Sequence, residues 1–359
     1  MTSHPSRSSV GICAVLCAMV LLPSLAMAAP STALLSPWDE RPVKVTAAGY
    51  SCDVPPALPK DIVAYDFYSD AQHSVIDPTR YAAYNAAAKR FDDVMHAAES
   101  AADNFQSTGS RAAAECVLRI LVLNAQAGAM TGDRASNQSY YVQNWTLGAL
   151  AVTWLKVRGA EPGSAEDRKL VTGWLQQLAG QVHDYFAERH AKPTTDAQNN
   201  HFYWAGFAVM SAAVAANDRT LFDWGVSTYD DGVGRIQPDG TLPLEMARGQ
   251  RALHYHLFAL APLVTMAEFG AANSIDLYGR NHSALSLLIY RTMGGLEDNK
   301  YFTAKAGAVQ DTPEKGKITS NDVVWLTPYL RRYPNGDLSR LLHSVSPRPY
   351  NYLGGLPPS

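Results

Sequence analysis

Two short segments of this chain carry side chains that could act together on one substrate. Asn200 and His201 begin the first segment, just before an apolar run, and Arg248, Arg251 and Tyr255 belong to the second, RGQRALHYH. An amide, an imidazole, a guanidinium and a phenol can neutralise a sugar carboxylate and move a proton beside it. Both segments lack the paired Asp or Glu that most glycoside hydrolases use.

The spacing of the second segment predicts that its polar side chains share one helical face. Arg248 and Tyr255 are seven residues apart, which is almost two turns of an α-helix, and Arg251 lies between them. A stripe of this kind facing a groove would bind a carboxylate. The alternative interpretation is a solvated basic face with the tyrosine packed beside it.

The first segment offers a candidate proton acceptor. His201 falls in the first turn of a predicted helix, where the helix dipole favours a neutral imidazole. The alternative is a histidine that only caps the helix or packs in the core. Trp204, one turn further on, is either a core residue or a platform for a sugar ring.

Other kinds of site have weaker support. His254 and His256 flank Tyr255, but without a nearby third ligand they do not predict a metal site. The chain has no Gly-rich phosphate loop, nucleophile elbow or Cys-x-x-Cys motif, so we expect no cofactor. A hydrolytic acid pair stays open as an alternative, formed by Asp230 with Asp231 or by Asp239 with Glu245.

Helical periodicity runs through nearly the whole chain and must position these groups. The pattern predicts an all-α single domain, because strand-like alternation is scarce and no linker interrupts the helices. Consecutive apolar helices could close into an α/α toroid, although composition does not separate that from a solenoid or a bundle. The predicted helices span residues 81–100, 111–130, 137–157, 170–186, 200–216, 219–228, 245–269, 283–293, 325–333 and 338–343.

The beginning of the chain indicates export. Residues 10–25 are almost wholly apolar and small residues follow at 26–28, which predicts a cleavable signal peptide over residues 1–28. We therefore expect a periplasmic or secreted protein whose single domain covers residues 29–359, with an irregular arm at 29–60 and an irregular tail at 345–359. No later segment has the ~20 apolar residues that a membrane span needs.

The cysteine content predicts a disulfide, and the net charge limits the kinds of partner. Cys52 and Cys116 lie outside the signal peptide and predict one disulfide in an oxidising compartment, which would stabilise the fold by about 4 kcal/mol. Two free buried thiols are the alternative. The formal net charge is only -3, so an anionic substrate must be held by a local basic cleft. We expect a monomer without a nucleic-acid or membrane partner.

The motifs NNHFYWA at 199–205, LFDW at 221–224 and QRALHYH at 250–256 resemble those of a known family. From about residue 52 to 355 the chain is similar to the alginate lyases of polysaccharide lyase family 5, the bacterial poly(β-D-mannuronate) lyases. The resemblance implies an (α/α) toroid with a deep cleft and a lid loop, no metal, and β-elimination at a 1,4-linked uronate.

The resemblance also implies roles for individual residues. Asn200 and Arg248 would neutralise the C6 carboxylate, His201 would assist or act as base, and Tyr255 would donate a proton to the departing O4 and could itself remove the C5 proton. Further substrate contacts are implied for five residues: Tyr65 and Tyr68 in the lid, Gln143, Trp204 and Arg251.

The chain also departs from the pattern of this family. Phe202 follows the motif histidine, Leu257 follows the Tyr-His pair, and Gln143 and Asn144 stand where several relatives have basic residues. We interpret these departures as a widened substrate range that includes glucuronate-containing chains such as polyglucuronate or hyaluronan. An α/α-toroid glycoside hydrolase and a non-catalytic polysaccharide-binding protein remain the alternative functions.

Overall fold

Helices account for nearly all of the regular structure. The computed structural model describes residues 1–4, 33–192, 194–312 and 318–358, and the predicted signal peptide lies almost wholly outside these ranges. Within them the backbone forms isolated bridges, such as Thr46 with Ser110, but no β-strand. The helices are α1 (Pro78–Thr108), α2 (Arg111–Gln126), α3 (Asn137–Val157), α4 (Ala165–Ala191), α5 (Asn200–Ala216), α6 (Arg219–Gly234), α7 (Pro243–Met246), α8 (Ala252–Ala272), α9 (Arg280–Glu297), α10 (Lys300–Ala306), α11 (Ser320–Val323), α12 (Leu326–Arg332) and α13 (Gly336–Ser344).

Short polar side chains begin the helices that carry the cleft. The Ser136 hydroxyl accepts from the Gln138 amide at 3.1 Å and starts α3. Ser164 accepts from the Asp167 amide at 3.0 Å and starts α4. These caps satisfy amides that have no partner within the helix, so they define where each helix begins.

The helices form two layers that alternate along the chain. α3, α5 and α8 are buried on nearly all sides, which suits helices of the inner layer. α2, α4, α6 and α9 each bury one side, and α4 and α6 pack directly on α5. No helix in the described ranges is both long and apolar enough to cross a membrane.

The prediction of one helix over residues 245–269 is wrong. The chain forms the short α7, then a 3₁₀ turn at Gly249–Arg251, and only then α8. Gly249 has φ +53°, a left-handed conformation that a continuous helix does not contain. Arg248 and Tyr255 therefore meet because the backbone turns at Gly249, and they do not share a continuous helical face.

Both ends of the described chain are attached to the helices. A disulfide joins Cys52 in the N-terminal arm to Cys116 on α2, with a Cα–Cα distance of 5.5 Å. At the other end, the Lys156 Nζ donates to the Gly354 carbonyl at 2.7 Å, and Leu353 is buried. The tail is therefore part of the packed structure, and it reaches the cleft described below.

Candidate active site

A cleft of about 1890 Å³ brings the two chemistry-bearing segments together. His201 lines it from the first turn of α5, Arg248 from the turn after α7, and Tyr255 from the first turns of α8. Residues 65–76, which we call the lid segment, and the tail residues 350–352 complete its wall. The cleft is large enough for several sugar rings.

Tyr255 lies at the centre of this arrangement. Its ring centroid is 3.5 Å from the Arg248 Cζ and 5.7 Å from the Arg251 Cζ, so both guanidinium groups face the aromatic ring. Its hydroxyl forms a hydrogen bond with the hydroxyl of Tyr68 in the lid segment. A phenol beside two cations is well placed to carry transient negative charge.

Two backbone carbonyls of the lid segment accept hydrogen bonds from the guanidinium of Arg248. The Nε donates to the Gln72 carbonyl at 2.9 Å and the Nη2 donates to the His73 carbonyl at 2.8 Å. Nearby, the Gln250 Nε2 donates to the Ser74 carbonyl at 2.9 Å. A substrate carboxylate that binds the Nε–Nη2 edge of Arg248 must therefore replace these lid carbonyls.

His201 is held as a neutral imidazole. Burial, followed by the positive charge of Arg248, lowers its pKa to about 3. Its ring stacks on Tyr141 with centroids 3.7 Å apart and planes 13° apart, and its Nδ1 has no hydrogen-bond partner. The ring is therefore oriented by stacking and stays neutral at ordinary pH.

A charged clamp holds the tyrosine beneath this histidine. The Tyr141 hydroxyl donates to Asp196 Oδ2 at 2.9 Å, and Arg189 binds the same carboxylate through Nε at 2.9 Å and Nη2 at 2.7 Å. These hydrogen bonds hold the pKa of Asp196 below its usual value despite its burial. Sequence reasoning missed this clamp, because no motif links the three residues.

Asn200 lies beside His201 but is fully buried, and it does not line the cleft. Its backbone amide donates to Glu245 Oε1 at 2.7 Å and its Nδ2 donates to Glu245 Oε2 at 2.9 Å, while its Oδ1 has no partner. Burial raises the pKa of Glu245, and the nearby Arg248 opposes this shift. The amide is thus held by a buried acid from α7.

Two predicted substrate contacts are wrong. Gln143 is fully buried, and its Nε2 donates to the Met130 carbonyl and to Gln181, both at 3.0 Å. Trp204 is also fully buried, with its ring centroid 5.0 Å from that of Phe258. Both side chains point into the packed interior because α3 and α5 are inner helices with little exposed surface, so neither lines the cleft.

The remaining predicted contacts do line the cleft. Arg251 borders it and pairs with Asp311 at 3.0 Å. Tyr68 is buried against Tyr255, whereas Tyr65 is 61% exposed at the rim. The lid tyrosines therefore occupy different positions, one at the reacting groups and one at the entrance.

The residues that depart from the family pattern differ in whether they line the cleft. Phe202 is buried and stacks on His190 with centroids 4.8 Å apart, and Asn144 is also fully buried. Neither lines the cleft, so they do not contact a bound polymer there. Leu257, in contrast, does border it. Phe202 therefore has no direct contact with a polymer in the cleft, and the predicted widening of the substrate range stays a prediction.

Two tyrosines of the tail line the cleft, which the sequence analysis did not predict. Tyr352 stacks on Trp145 with centroids 5.0 Å apart and planes 11° apart, and Tyr350 also lines the cleft. The Trp145 Nε1 has no hydrogen-bond partner. The spacing Tyr-Asn-Tyr near the end of the chain was the available signal, but only the fold shows that it meets α3.

The histidines beside Tyr255 do not form a metal site. His256 is buried, where its Nε2 accepts from the Leu242 amide at 2.9 Å, while His254 lines the cleft. Across the described residues, no group of three or more His, Cys, Asp or Glu side chains could hold a metal ion.

The two-layered helical fold and its cleft fit the α/α toroid class. A family model described as "Alginate lyase" matches residues 61–302, and the chain belongs to the alginate lyase family. A polysaccharide lyase of Stenotrophomonas maltophilia is 35% identical over 85% of this chain and 89% of its own length. An alginate lyase of Pseudomonas syringae is 30% identical over 95% of this chain and 92% of its own.

Solved structures show the same architecture. Alginate lyase A1-III from Sphingomonas species A1 has a TM-score of 0.72 at 24% identity, over 86% of each chain. A variant of A1-III complexed with a tetrasaccharide has a TM-score of 0.74 with the same coverage. These likenesses confirm the predicted α/α toroid, and the family match confirms the predicted carbon–oxygen lyase.

Proposed function

We propose that this enzyme cleaves alginate and related 1,4-linked polyuronates by β-elimination. The observation that carries the proposal is the meeting of Arg248, His201 and Tyr255 at one cleft. A cation, a neutral imidazole and a phenol are the groups that elimination beside a carboxylate requires. The name of the Pseudomonas syringae relative, an alginate lyase, points to the same substrate class.

In the proposed reaction, Arg248 binds the C6 carboxylate and stabilises the negative charge that develops as the C5 proton leaves, and the Asn200 amide, buried beside His201 in this structure, reaches the carboxylate when the polymer binds. His201 or Tyr255 takes that proton, depending on which face of the sugar carries it. The electrons of the broken C5–H bond form the C4–C5 double bond, the C4–O4 bond breaks, and O4 receives a proton from Tyr255. The product has a 4,5-unsaturated uronate at its new non-reducing end.

Entry of the polymer requires a change in the lid segment. Its carbonyls hold Arg248 and its Tyr68 hydroxyl holds Tyr255. We therefore propose that substrate carboxylate and O4 take over these hydrogen bonds, so that the lid segment changes partners when the polymer binds. Tyr65, Tyr68 and Arg251 would then contact the chain.

The pairing of cleft charges supports a widened substrate range. Arg189 and Arg251 are each paired with an aspartate, Asp196 and Asp311, so Arg248 is the one arginine among the described lining residues without a carboxylate partner. Few free cations favour a chain that binds by stacking as well as by charge. Polyglucuronate and hyaluronan are therefore proposed as additional substrates.

Three experiments test these proposals. The unsaturated product absorbs in the ultraviolet, whereas the product of a hydrolase does not, so absorbance during digestion of polymannuronate separates the two classes. Tyr255→Phe should reduce kcat by about 10²–10⁴-fold while largely sparing substrate binding; a binding protein without catalysis would be indifferent to the change. Initial rates on polymannuronate, polyguluronate, polyglucuronate and hyaluronan test the range, and activity on polymannuronate alone would refute it.

The predicted export is also a proposal. An apolar run at residues 10–25 followed by small residues supports a cleavable signal peptide and a periplasmic or secreted monomer. N-terminal sequencing of the protein isolated from the periplasm should find residue 29 first, and an uncleaved chain would contradict it.

A further inference from the structure

Glu245 is a fully buried acid whose partners are both supplied by Asn200. Its two carboxyl oxygens accept from the Asn200 backbone amide and Nδ2, and within the described residues it forms no ion pair. A buried carboxylate without a paired cation carries a desolvation cost of several kcal/mol. The neutral carboxylic acid avoids this cost.

The ionised form of Glu245 would hold the Asn200 amide the wrong way round for the proposed reaction. A carboxylate only accepts hydrogen bonds, so it draws the Nδ2 toward itself and leaves the Oδ1 as the free end of the amide. An oxygen at that end would repel a substrate carboxylate. It is also a buried acceptor without a donor, which costs about 1–3 kcal/mol.

We propose that Glu245 works as a carboxylic acid that positions Asn200. Its Oε2–H donates to the Asn200 Oδ1, which turns the amide and leaves both hydrogens of Nδ2 for the substrate carboxylate. The bond from the Asn200 backbone amide to Oε1 is unchanged. This assignment rests on the proposed function, because it requires that Asn200 bind the carboxylate of a uronate.

The surroundings of Glu245 contain few groups that would compensate its charge. Charged and titratable side chains on the elements packed around it include Arg248 in its own segment and Arg235 after α6. The helices add His201 and Tyr203 on α5, His254, Tyr255, His256 and Glu268 on α8, and Lys300, Tyr301 and Lys305 on α10. Arg235 is paired with Asp231 and Lys305 with Asp239, so both are neutralised elsewhere.

His256 and Arg248 also affect whether Glu245 keeps its proton. Burial lowers the pKa of His256 to about 4, which keeps it neutral, whereas burial raises the pKa of Glu245 against the opposing charge of Arg248 and the two hydrogen bonds from Asn200. A cavity of about 290 Å³ lined by Glu245, Tyr203 and Arg235 gives the acid a route for proton exchange. Loss of this proton should lower activity, because the amide then turns back and a negative charge appears beside the substrate.

Glu245→Gln tests this directly, since a glutamine reproduces the hydrogen bonds of the acid and cannot ionise. Its Oε1 accepts from the Asn200 backbone amide while its Nε2 donates to Oδ1. We expect kcat within about threefold of the wild type on the acidic plateau, and loss of the alkaline decline that Glu245 causes. Glu245→Ala should reduce kcat by about 10²-fold with a smaller change in KM, since the amide is no longer held.

Glu99→Gln is the matched control, because Glu99 is another buried acid, on α1 and outside the cleft. It should leave the pH profile of the wild type unchanged. The proposal is overturned if Glu245→Gln loses as much turnover as Glu245→Ala in a folded protein, or if it keeps the alkaline decline of the wild type.

An infrared difference spectrum between the wild type and Glu245→Gln provides a readout that does not depend on turnover. A carboxylic-acid C=O band that disappears in the variant is expected, and its absence from the wild-type spectrum at neutral pH overturns the proposal. Failure of the proposed function has a different signature: the wild type forms no unsaturated product from any polyuronate, while the band is present.

Discussion

Replacement of Tyr141 tests how the neutral histidine is held in the cleft. Tyr141 contributes two separable interactions, a hydrogen bond of 2.9 Å to Asp196 and a ring stack 3.7 Å from His201. Tyr141→Phe removes only the hydrogen bond and keeps the ring. Tyr141→Leu removes both, so the pair of variants assigns the effect of each interaction.

The expected magnitudes follow from these contacts. A hydrogen bond to a charged group contributes about 1.5–3 kcal/mol, and the Asp196 carboxylate keeps its two bonds to Arg189 in either variant. Tyr141→Phe should therefore lose about 1.5 kcal/mol of unfolding free energy and change kcat by less than about threefold. Without the ring, His201 has no partner at Nδ1 to hold it, and a displacement near 1 Å reduces kcat by about 10²-fold.

The assay is the initial rate of ultraviolet absorbance on polymannuronate, with urea unfolding measured on the same preparations. KM should change little in either variant, because Tyr141 acts through His201 and not on the carboxylate. Equal losses of kcat in the two folded variants would refute stacking as the positioning contact. Full activity in Tyr141→Leu would refute any role of the ring.

Three further predictions concern charge, covalent linkage and pH. Arg248→Lys should reduce kcat/KM by about 10²–10³-fold, since a lysine cannot bind a carboxylate with two parallel bonds. Arg251→Lys should reduce kcat/KM by less than about tenfold, because Arg251 already pairs with an aspartate. A larger loss of kcat/KM in Arg251→Lys than in Arg248→Lys would contradict the assignment. Replacing Cys52 and Cys116 together by Ala should lower the unfolding free energy by about 4 kcal/mol in urea titrations and leave kcat unchanged. Burial lowers the pKa of His256 to about 4, below the value of about 6.5 for a solvated histidine. The unfolded chain therefore binds more protons between these values, and stability falls on acidification by about 1.4 kcal/mol per pH unit. His256→Gln should flatten that slope, and parallel slopes would show that another group is responsible.

Local signals in the sequence located most helices well. The predictions of 137–157 and 200–216 coincide with α3 and α5, which Ser136 and Asn199 cap. Such signals work because a cap acts through contacts a few residues away. The break in the helix at Gly249 was not predicted, because the sequence around a glycine does not reveal its φ angle.

Contacts between distant residues were harder to predict. Trp204 and Gln143 carry groups suited to sugar binding, yet both are enclosed by neighbouring helices. Tyr352, from the tail, forms part of the wall instead. Which face of an inner helix reaches a cleft depends on how the helices pack around it, and helical periodicity is uninformative when a helix is apolar on all sides.

The sequence by itself determined the available chemistry and the helical class. An amide, an imidazole, a guanidinium and a phenol in two motifs indicated carboxylate neutralisation and proton transfer, because those functions depend on residue type. Only the tertiary structure decided how the groups are held: His201 on Tyr141, Arg248 under the lid carbonyls, and Asn200 on the buried Glu245. Burial and charge proximity set protonation and orientation, and both arise from packing between segments that are far apart in the chain.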